Sequence, residues 1–176
     1  MKAAIYCPGP SLAKAVDDFE GLEICVNRSA ILRGCDYWAC GDPAPILSSR
    51  QQVIGRPTLF TMRSTVETLS QSDFTWPGGI IEWESLFEFL PHTQICWTRY
   101  TTLAAIVLAV AKGATDIRIF GCDWTHEADW DGNADALADR EEHRWKLERE
   151  IYGRLTDSLA LRGIEVKRVQ LAQIPH

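Results

Sequence analysis

The chain has no excess of basic residues: 18 Lys and Arg stand against 24 Asp and Glu, a formal net charge of -6. General binding to nucleic acid or to an anionic membrane requires a basic footprint, so a small ligand is expected rather than a polyanion. No apolar run reaches the roughly eighteen residues that cross a bilayer, and the opening MKAAIYCPGPS has one Lys and too short an apolar core for a signal peptide. The cytoplasm is the expected compartment. The six cysteines, Cys7, Cys25, Cys35, Cys40, Cys96 and Cys122, show no CxxC or other metal-ligand spacing and several sit in apolar runs, so buried reduced thiols are expected and no residue is assigned to a metal. Also missing are a GxGxxG, the GK[ST] ending of a phosphate loop, a G-x-S-x-G elbow and a Ser-His-Asp order, which leaves nucleophilic hydrolysis without positive support. At 176 residues the chain has one domain's length, enough to bury roughly two thirds of its unfolded surface.

What is present centres on residues 99–124, RYTTLAAIVLAVAKGATDIRIFGCDW. From Thr101 to Lys112 the side chains are small or aliphatic on every side, the mark of a helix buried on most of its surface, and Gly113 supplies its stop. Asp116 to Phe120 is a β-branched run suited to a strand, ending in Gly121-Cys122-Asp123-Trp124. Arg99, Thr101 and Thr102 gather a cation and two hydroxyls at the helix N-terminus, where free N–H groups favour an anion such as phosphate. The same arrangement recurs upstream. Lys2 to Cys7 reads as a strand running into Pro8-Gly9-Pro10-Ser11, with Ser11 capping a helix from Leu12 to Phe19. Leu22 to Val26 ends in Asn27-Arg28-Ser29 and a short helix through Leu32. Asp36 to Cys40 ends in Gly41-Asp42-Pro43, with Asp42 a candidate cap for a helix from Pro45 to Gln52.

Further along, Pro57 to Thr61 reads as a strand and Ser64 to Leu69 as a helix. Residues 71–92 have no clean period; they are expected to form an irregular edge or lid segment with a helix near Glu84 to Phe89. Thr93 to Trp97 reads as a short strand. Asp129, Asp131, Asn133 and Asp135 alternate as in a calcium loop, but Gly132 falls fourth and Arg140 twelfth where an EF-hand needs Gly sixth and Glu twelfth, so an acidic loop is expected. A long amphipathic helix from Asp139 to Arg162 carries the apolar row Leu147, Ile151, Leu155 and Leu159, and Ile164 to Leu171 alternates as a final strand. Strands alternating with helices predict an α/β fold: a single Rossmann-like domain over residues 1–176, with a mostly parallel sheet flanked by helices. In such sheets ligands bind beyond the carboxyl ends of the strands, where these polar turns fall.

CPGPS, the Asn after the second strand, R-x-T-T before a small-residue helix and GATDIRIFGCDW together resemble the bacterial sialyltransferases of glycosyltransferase family 42. They also resemble the archaeal 6-hydroxymethylpterin pyrophosphokinase-like proteins, once called domain of unknown function 115. The first resemblance implies a nucleotide-dependent transferase taking a CMP-sugar type of nucleotide conjugate. Gly9, Pro10, Ser11 and Asn27 would lie by the donor nucleotide, and Arg99, Thr101 and Thr102 would line its site. Gly121 and Asp123 match the Gly-x-Asp that closes the following strand, and His143 would be the general base. The polar strand-end turns themselves add Gly41, Asp42 and Trp124 to the candidate nucleotide-binding residues. The second resemblance implies a magnesium-dependent enzyme with Asp42 and Asp123 as candidate carboxylates. The sialyltransferases hold the phosphate with tyrosines, and after Asp123 this chain has Trp124 and Thr125 instead. A non-catalytic module that binds or sequesters a nucleotide is a further alternative, as is a structural or assembly protein, and a homo-oligomer is left open.

Overall fold

The computed structural model describes residues 1–15, 19–90, 95–124 and 142–169. Seven strands form one sheet in the order β5-β4-β3-β2-β1-β6-β7, and every pairing among the described strands is parallel. The strands are β1 (Lys2–Tyr6), β2 (Leu22–Val26), β3 (Tyr37–Ala39), β4 (Thr58–Thr61), β5 (Ile80–Glu82), β6 (Asp116–Phe120) and β7 (Glu165–Arg168). The fold is thus α/β and Rossmann-like. Two helical layers cover the sheet because successive residues of a strand point to opposite faces and both faces here are apolar.

β1 shows this alternation directly. Ala3 and Ile5 face one layer, in a cluster with α4 (Thr101–Ala111) and α5 (Glu142–Ala160). Ala4 and Tyr6 face the other, packed with Leu12, Ala30 of α1 (Ser29–Leu32), Ile46 of α2 (Pro43–Ser49) and Leu69 of α3 (Arg63–Ser70). As the composition predicts, α4 is buried continuously from Thr102 to Val110, lying across β1, β2 and β3. It ends in paired bonds, Gly113 N–H to the Val110 carbonyl and Ala114 N–H to the Ala109 carbonyl, with Gly113 at φ +91°. This is the Schellman pattern that left-handed Gly permits. Among the described residues no helix is long and apolar enough to cross a membrane.

Several sequence expectations change. The helix expected over Leu12–Phe19 is a short 3₁₀ turn, Pro10–Lys14, that gives way to extended backbone at Ala15. The turn is tied to the loop after β6 by Gly9 and Ser11, which fixes its direction. The segment at 71–92 contains a strand, β5, that pairs in parallel with β4, followed by a 3₁₀ turn at Trp83–Leu86 rather than a longer helix. Of the strand expected at Thr93–Trp97 only residues 95–97 are described, and they form none: Trp97–Arg99 is a 3₁₀ turn in which Trp97 is fully buried and its indole N–H donates to the Leu90 carbonyl at 2.9 Å. Filling the core beneath α4 takes precedence there over pairing in the sheet. Asp42 occupies the N-cap position of α2, but its side chain makes no capping bond. All six thiols are free; Cys7, Cys25 and Cys40 are buried as expected, whereas Cys96 is exposed. The acidic run at 129–135, His92 and His126 lie outside the described residues.

Candidate functional site

The chain leaves β1 toward β2 on one side and returns to β6 on the other, so β1 and β6 flank the point where the strand order reverses. A parallel sheet opens a crevice there, beyond the carboxyl ends of its strands. In this molecule the loops after β1 and β6 are fastened together at that point. The Gly9 N–H donates to the Gly121 carbonyl at 2.9 Å. Ser11 gives both its N–H and its hydroxyl to Asp123, at 2.9 Å to Oδ2 and 2.6 Å to Oδ1. A methyl group on Gly9 would stand 2.3 Å from the Gly121 carbonyl oxygen, and one on Gly121 would stand 2.1 Å from the Cys7 carbonyl oxygen. The CPGPS and GCD segments therefore interlock, and only glycine fits at their two closest approaches.

Above this clamp lies a crevice of about 400 Å³, within the range of small-ligand sites. Eleven of the twelve residues predicted to bind a nucleotide line it; the twelfth, Ser11, lies behind Asp123 as its partner. One wall is the start of α4. Its N-cap residue Tyr100 provides no side-chain cap, so the first N–H groups of an 11-residue helix stand at the crevice beside Thr101, Thr102 and the exposed Arg99. Such an end attracts an anion by roughly 0.3–1 kcal/mol at an exposed site. Thr102, nearly buried, also contacts the Cys7 thiol at 3.5 Å.

The opposite rim comes from the ends of β2 and β3. Asn27 sits at φ +50°, a left-handed conformation that Asn tolerates better than most residues. Its backbone is fully engaged: its N–H donates to the Ala39 carbonyl and its carbonyl accepts from the Trp38 indole. Backbone geometry alone thus holds the Asn27 side chain at the crevice. Gly41 lies against Trp83, with no room for a Cβ, and its carbonyl accepts from the Thr65 hydroxyl. Asp42 is exposed at this rim.

Trp124 has φ +51°, a true outlier for a bulky side chain. It is held from behind by the Arg168 guanidinium, 4.0 Å from its ring centroid, and by the edge of Tyr152 at 5.4 Å. Burial pushes the Tyr152 hydroxyl up to about 12. The Cys122 thiol is pushed well up by its hydrogen bond with Cys7 and by burial, which keeps it protonated and poorly nucleophilic.

Residues the sequence did not single out close the remaining side: Trp83, Tyr100, and Arg144, Trp145 and Glu148 of α5. Tyr100 donates its hydroxyl to the Arg144 carbonyl at 3.2 Å, joining the α4 entry to α5. Its pKa is raised, first by burial and then by the charge of Glu148. Trp145, Glu148 and Tyr152 follow a three-then-four spacing, a second stripe beside the aliphatic row. His143 is exposed in the first turn of α5 and does not line the crevice.

Asp42 and Asp123, the candidate carboxylates for magnesium, both line the crevice. Both carboxylate oxygens of Asp123 accept hydrogen bonds from Ser11, and among the described residues no three His, Cys, Asp or Glu side chains gather as metal ligands do.

No protein-family model matches the chain, and no curated protein matches it in sequence. Solved structures do match in fold. The sialyltransferase CstII in complex with a trisaccharide acceptor and CMP aligns with a TM-score of 0.61 over 96% of this chain and 80% of that one, at 13% identity. CstII from Campylobacter jejuni with the substrate analogue CMP-3FNeuAc aligns at 0.59 over 95% and 81%, at 12% identity, and its complex with cytidine-5'-monophosphate at 0.56 over 98% and 81%, at 13%. The likeness is one of fold. It supports the glycosyltransferase resemblance, whereas the pyrophosphokinase resemblance rests on the sequence segments alone.

Proposed function

We propose that this chain is a nucleotide-dependent transferase that binds a nucleotide-sugar of the CMP type in the crevice above β1 and β6. The observation that carries this reading is convergence. The uncapped start of α4, the clamped loops after β1 and β6, and the left-handed Asn27 meet in one cavity on a fold shared with CMP-binding sialyltransferases. In this reading the phosphate lies on the α4 N–H groups with Arg99 and the Thr101 and Thr102 hydroxyls, and Asn27 and the Pro8–Pro10 turn meet the nucleoside. The clamp has a functional consequence as well. Because Asp123 is committed to Ser11, the β1 loop is ordered before any ligand arrives, and binding costs less conformational entropy.

The resemblance assigns the acceptor's proton to His143. That residue stands outside the crevice lining, so the proposal here covers nucleotide binding and transfer of the bound group. The position of His143 favours one competing reading, a module that binds a nucleotide without turning it over.

Titration calorimetry of the purified chain against CMP, UMP, AMP, GMP and inorganic phosphate tests binding. Saturable CMP binding that weakens about tenfold or more in Arg99→Ala is expected, the share of one charge-assisted phosphate contact. No heat with any nucleotide sinks the reading. CMP release from CMP-sugars separates transferase from binding module.

A further inference from the structure

Residues 50–56, RQQVIGR, and 73–79, DFTWPGG, take no part in the crevice. The first segment joins α2 to β4 and the second leads from α3 to β5. Both therefore lie at the amino ends of the parallel strands, on the sheet edge opposite the crevice. Together they line a second cavity of about 420 Å³, within the range of small-ligand sites.

The walls of this cavity are fastened to each other. The Trp76 indole N–H donates to the Pro57 carbonyl at 2.8 Å, the Thr58 hydroxyl to the Gly78 carbonyl at 3.1 Å and the Leu59 N–H to the Gly79 carbonyl at 2.9 Å. Gly78 is pressed against the other loop: a methyl group there would stand 2.1 Å from the Pro57 carbonyl oxygen and 2.6 Å from that of Arg56. The first loop is tied down at its middle as well, where the Val53 N–H donates to the Ser49 carbonyl and the Ile54 N–H to the Ala30 carbonyl. Val53, Phe74 and Trp76 pack on the core layer below, and the Trp76 ring lies 5.2 Å from that of Trp38. A ligand would thus meet walls already in place, which lowers the ordering cost of binding.

The charged groups around the space are Arg50 and Arg56 from one loop and Asp73 from the other. Among the described residues none of the three forms an ion pair, so the arginines and the carboxylate border the cavity without closing on each other. The Arg50 guanidinium stands 5.7 Å from the centre of the Phe74 ring, a contact that leaves its N–H donors uncommitted. Two cations against one carboxylate make this place locally positive on a chain whose net charge is -6. Two guanidiniums on one tethered loop suit a phosphoryl group, because each presents a planar fork of donors to its oxygens. Asp73, the Thr75 hydroxyl and the Gln51 amide offer acceptors and donors for hydroxyl groups, and the half-buried Trp76 indole offers an apolar wall. We infer that this cavity is a second ligand site, and that it takes a sugar phosphate, with the phosphoryl group on Arg50 and Arg56 and the sugar hydroxyls on Asp73 and Thr75. The inference is independent of the transferase reading, since the two cavities share no lining residue.

The test is titration calorimetry of the full chain with glucose 6-phosphate, ribose 5-phosphate, N-acetylglucosamine 6-phosphate, inorganic phosphate and glucose. Wild type should bind at least one of the sugar phosphates saturably, and inorganic phosphate at least about fivefold more weakly, since the hydroxyl contacts are then missing. Arg50→Gln and Arg56→Gln should each weaken the sugar phosphate about tenfold or more, the share of one charge-assisted phosphate contact. Asp73→Ala should weaken the sugar phosphate but not inorganic phosphate. Arg99→Ala, at the crevice, should leave sugar-phosphate affinity within about twofold, as expected for sites without shared partners. Arg56 and Asp73 are exposed, so their substitution should leave the far-UV circular dichroism unchanged and keep the test decisive if Arg50→Gln fails to fold. No saturable binding of any sugar phosphate up to about 10 mM overturns the site. Binding lost in Arg99→Ala and kept in Arg56→Gln overturns it in favour of the crevice. Inorganic phosphate bound as tightly as the sugar phosphate overturns the sugar assignment. CMP binding with none to a sugar phosphate overturns this inference and leaves the proposed function standing.

Discussion

Substituting Gly121 by Ala should unmake the crevice by unmaking the clamp. Gly121 has φ +69°, which costs a residue with a Cβ about 1–2 kcal/mol. Its new methyl would also stand 2.1 Å from the Cys7 carbonyl oxygen and 3.0 Å from the Leu12 Cβ. The first of these is backbone, so relief requires the loops after β1 and β6 to move apart. That movement stretches the Gly9–Gly121 hydrogen bond at 2.9 Å and the two bonds from Ser11 to Asp123. A neutral bond contributes about 0.5–1.5 kcal/mol and one to a carboxylate about 1.5–3, so with partial loss of each the total cost is roughly 3–5 kcal/mol. Gly113→Ala is the matched control. Its φ of +91° is equally left-handed, but no atom lies within 4 Å of the added methyl, so it should cost only about 1–2 kcal/mol. Urea unfolding followed by far-UV circular dichroism gives both values, and CMP titration of the folded fractions gives the functional effect. Gly113→Ala should keep its affinity, and Gly121→Ala should lose it by more than tenfold. Equal destabilisation of the two, or full CMP affinity in Gly121→Ala, would refute the argument that the interlocked loops build the site.

Two further outcomes follow from the same geometry. Asn27→Gly keeps the backbone bonds to Ala39 and Trp38 and suits φ +50° without strain, so stability should change by less than about 1 kcal/mol while CMP affinity falls at least fivefold, read by thermal melting and calorimetry. On the alkaline side, burial pushes Cys40 up to about 12 from an ordinary 9 and Tyr152 up to about 12 from 10. Both stay neutral when folded and ionise sooner when unfolded, so their contribution is complete below about pH 9 and is lost as pH rises from there through about 12, at up to about 1.4 kcal/mol per pH unit for each group. Cys40→Ala should flatten the lower part of that fall in urea midpoints measured from pH 8 to 11, and an unchanged slope would count against it.

The strand ends were legible because each pairs a β-branched or apolar run with a polar turn, and that pattern is local. Lys2 to Cys7, Leu22 to Val26 and Asp116 to Phe120 therefore fall within a residue of the observed strands. β5 was hidden because three residues, Ile80 to Glu82, are too few to show a period and sit among aromatics. Trp97 misled in the opposite sense: an apolar residue in a short apolar run reads as strand, but its place is fixed by the cavity under α4 and by a carbonyl seven residues away. The α5 wall was partly masked by its own regularity. The aliphatic row spaced by four accounts for burial against the sheet, and Trp145 and Glu148 lie beside it, where only the position of the crevice gives them meaning. No local signal distinguishes a helix residue facing a cavity from one facing solvent.

The role of Asp123 shows why residue type at a strand end does not by itself reveal chemistry. A carboxylate at the carboxyl edge of a parallel sheet fits ribose binding, metal binding and loop anchoring equally well from sequence. Here its two oxygens meet two donors of one serine across 112 positions of chain, and the adjoining glycines leave no space for side chains. That geometry selects anchoring. In the proposed reading, anion binding then falls to Arg99, Arg144 and the α4 N–H groups, since the charge of Asp123 is offset by its hydrogen bonds, while Asp42 and Glu148 also line the crevice. An acidic chain with a net charge of -6 can thus present an anion site, because a bound phosphate responds to the cations and helix N–H groups within a few ångströms, while more distant surface charges are screened over about 8–10 Å at physiological ionic strength.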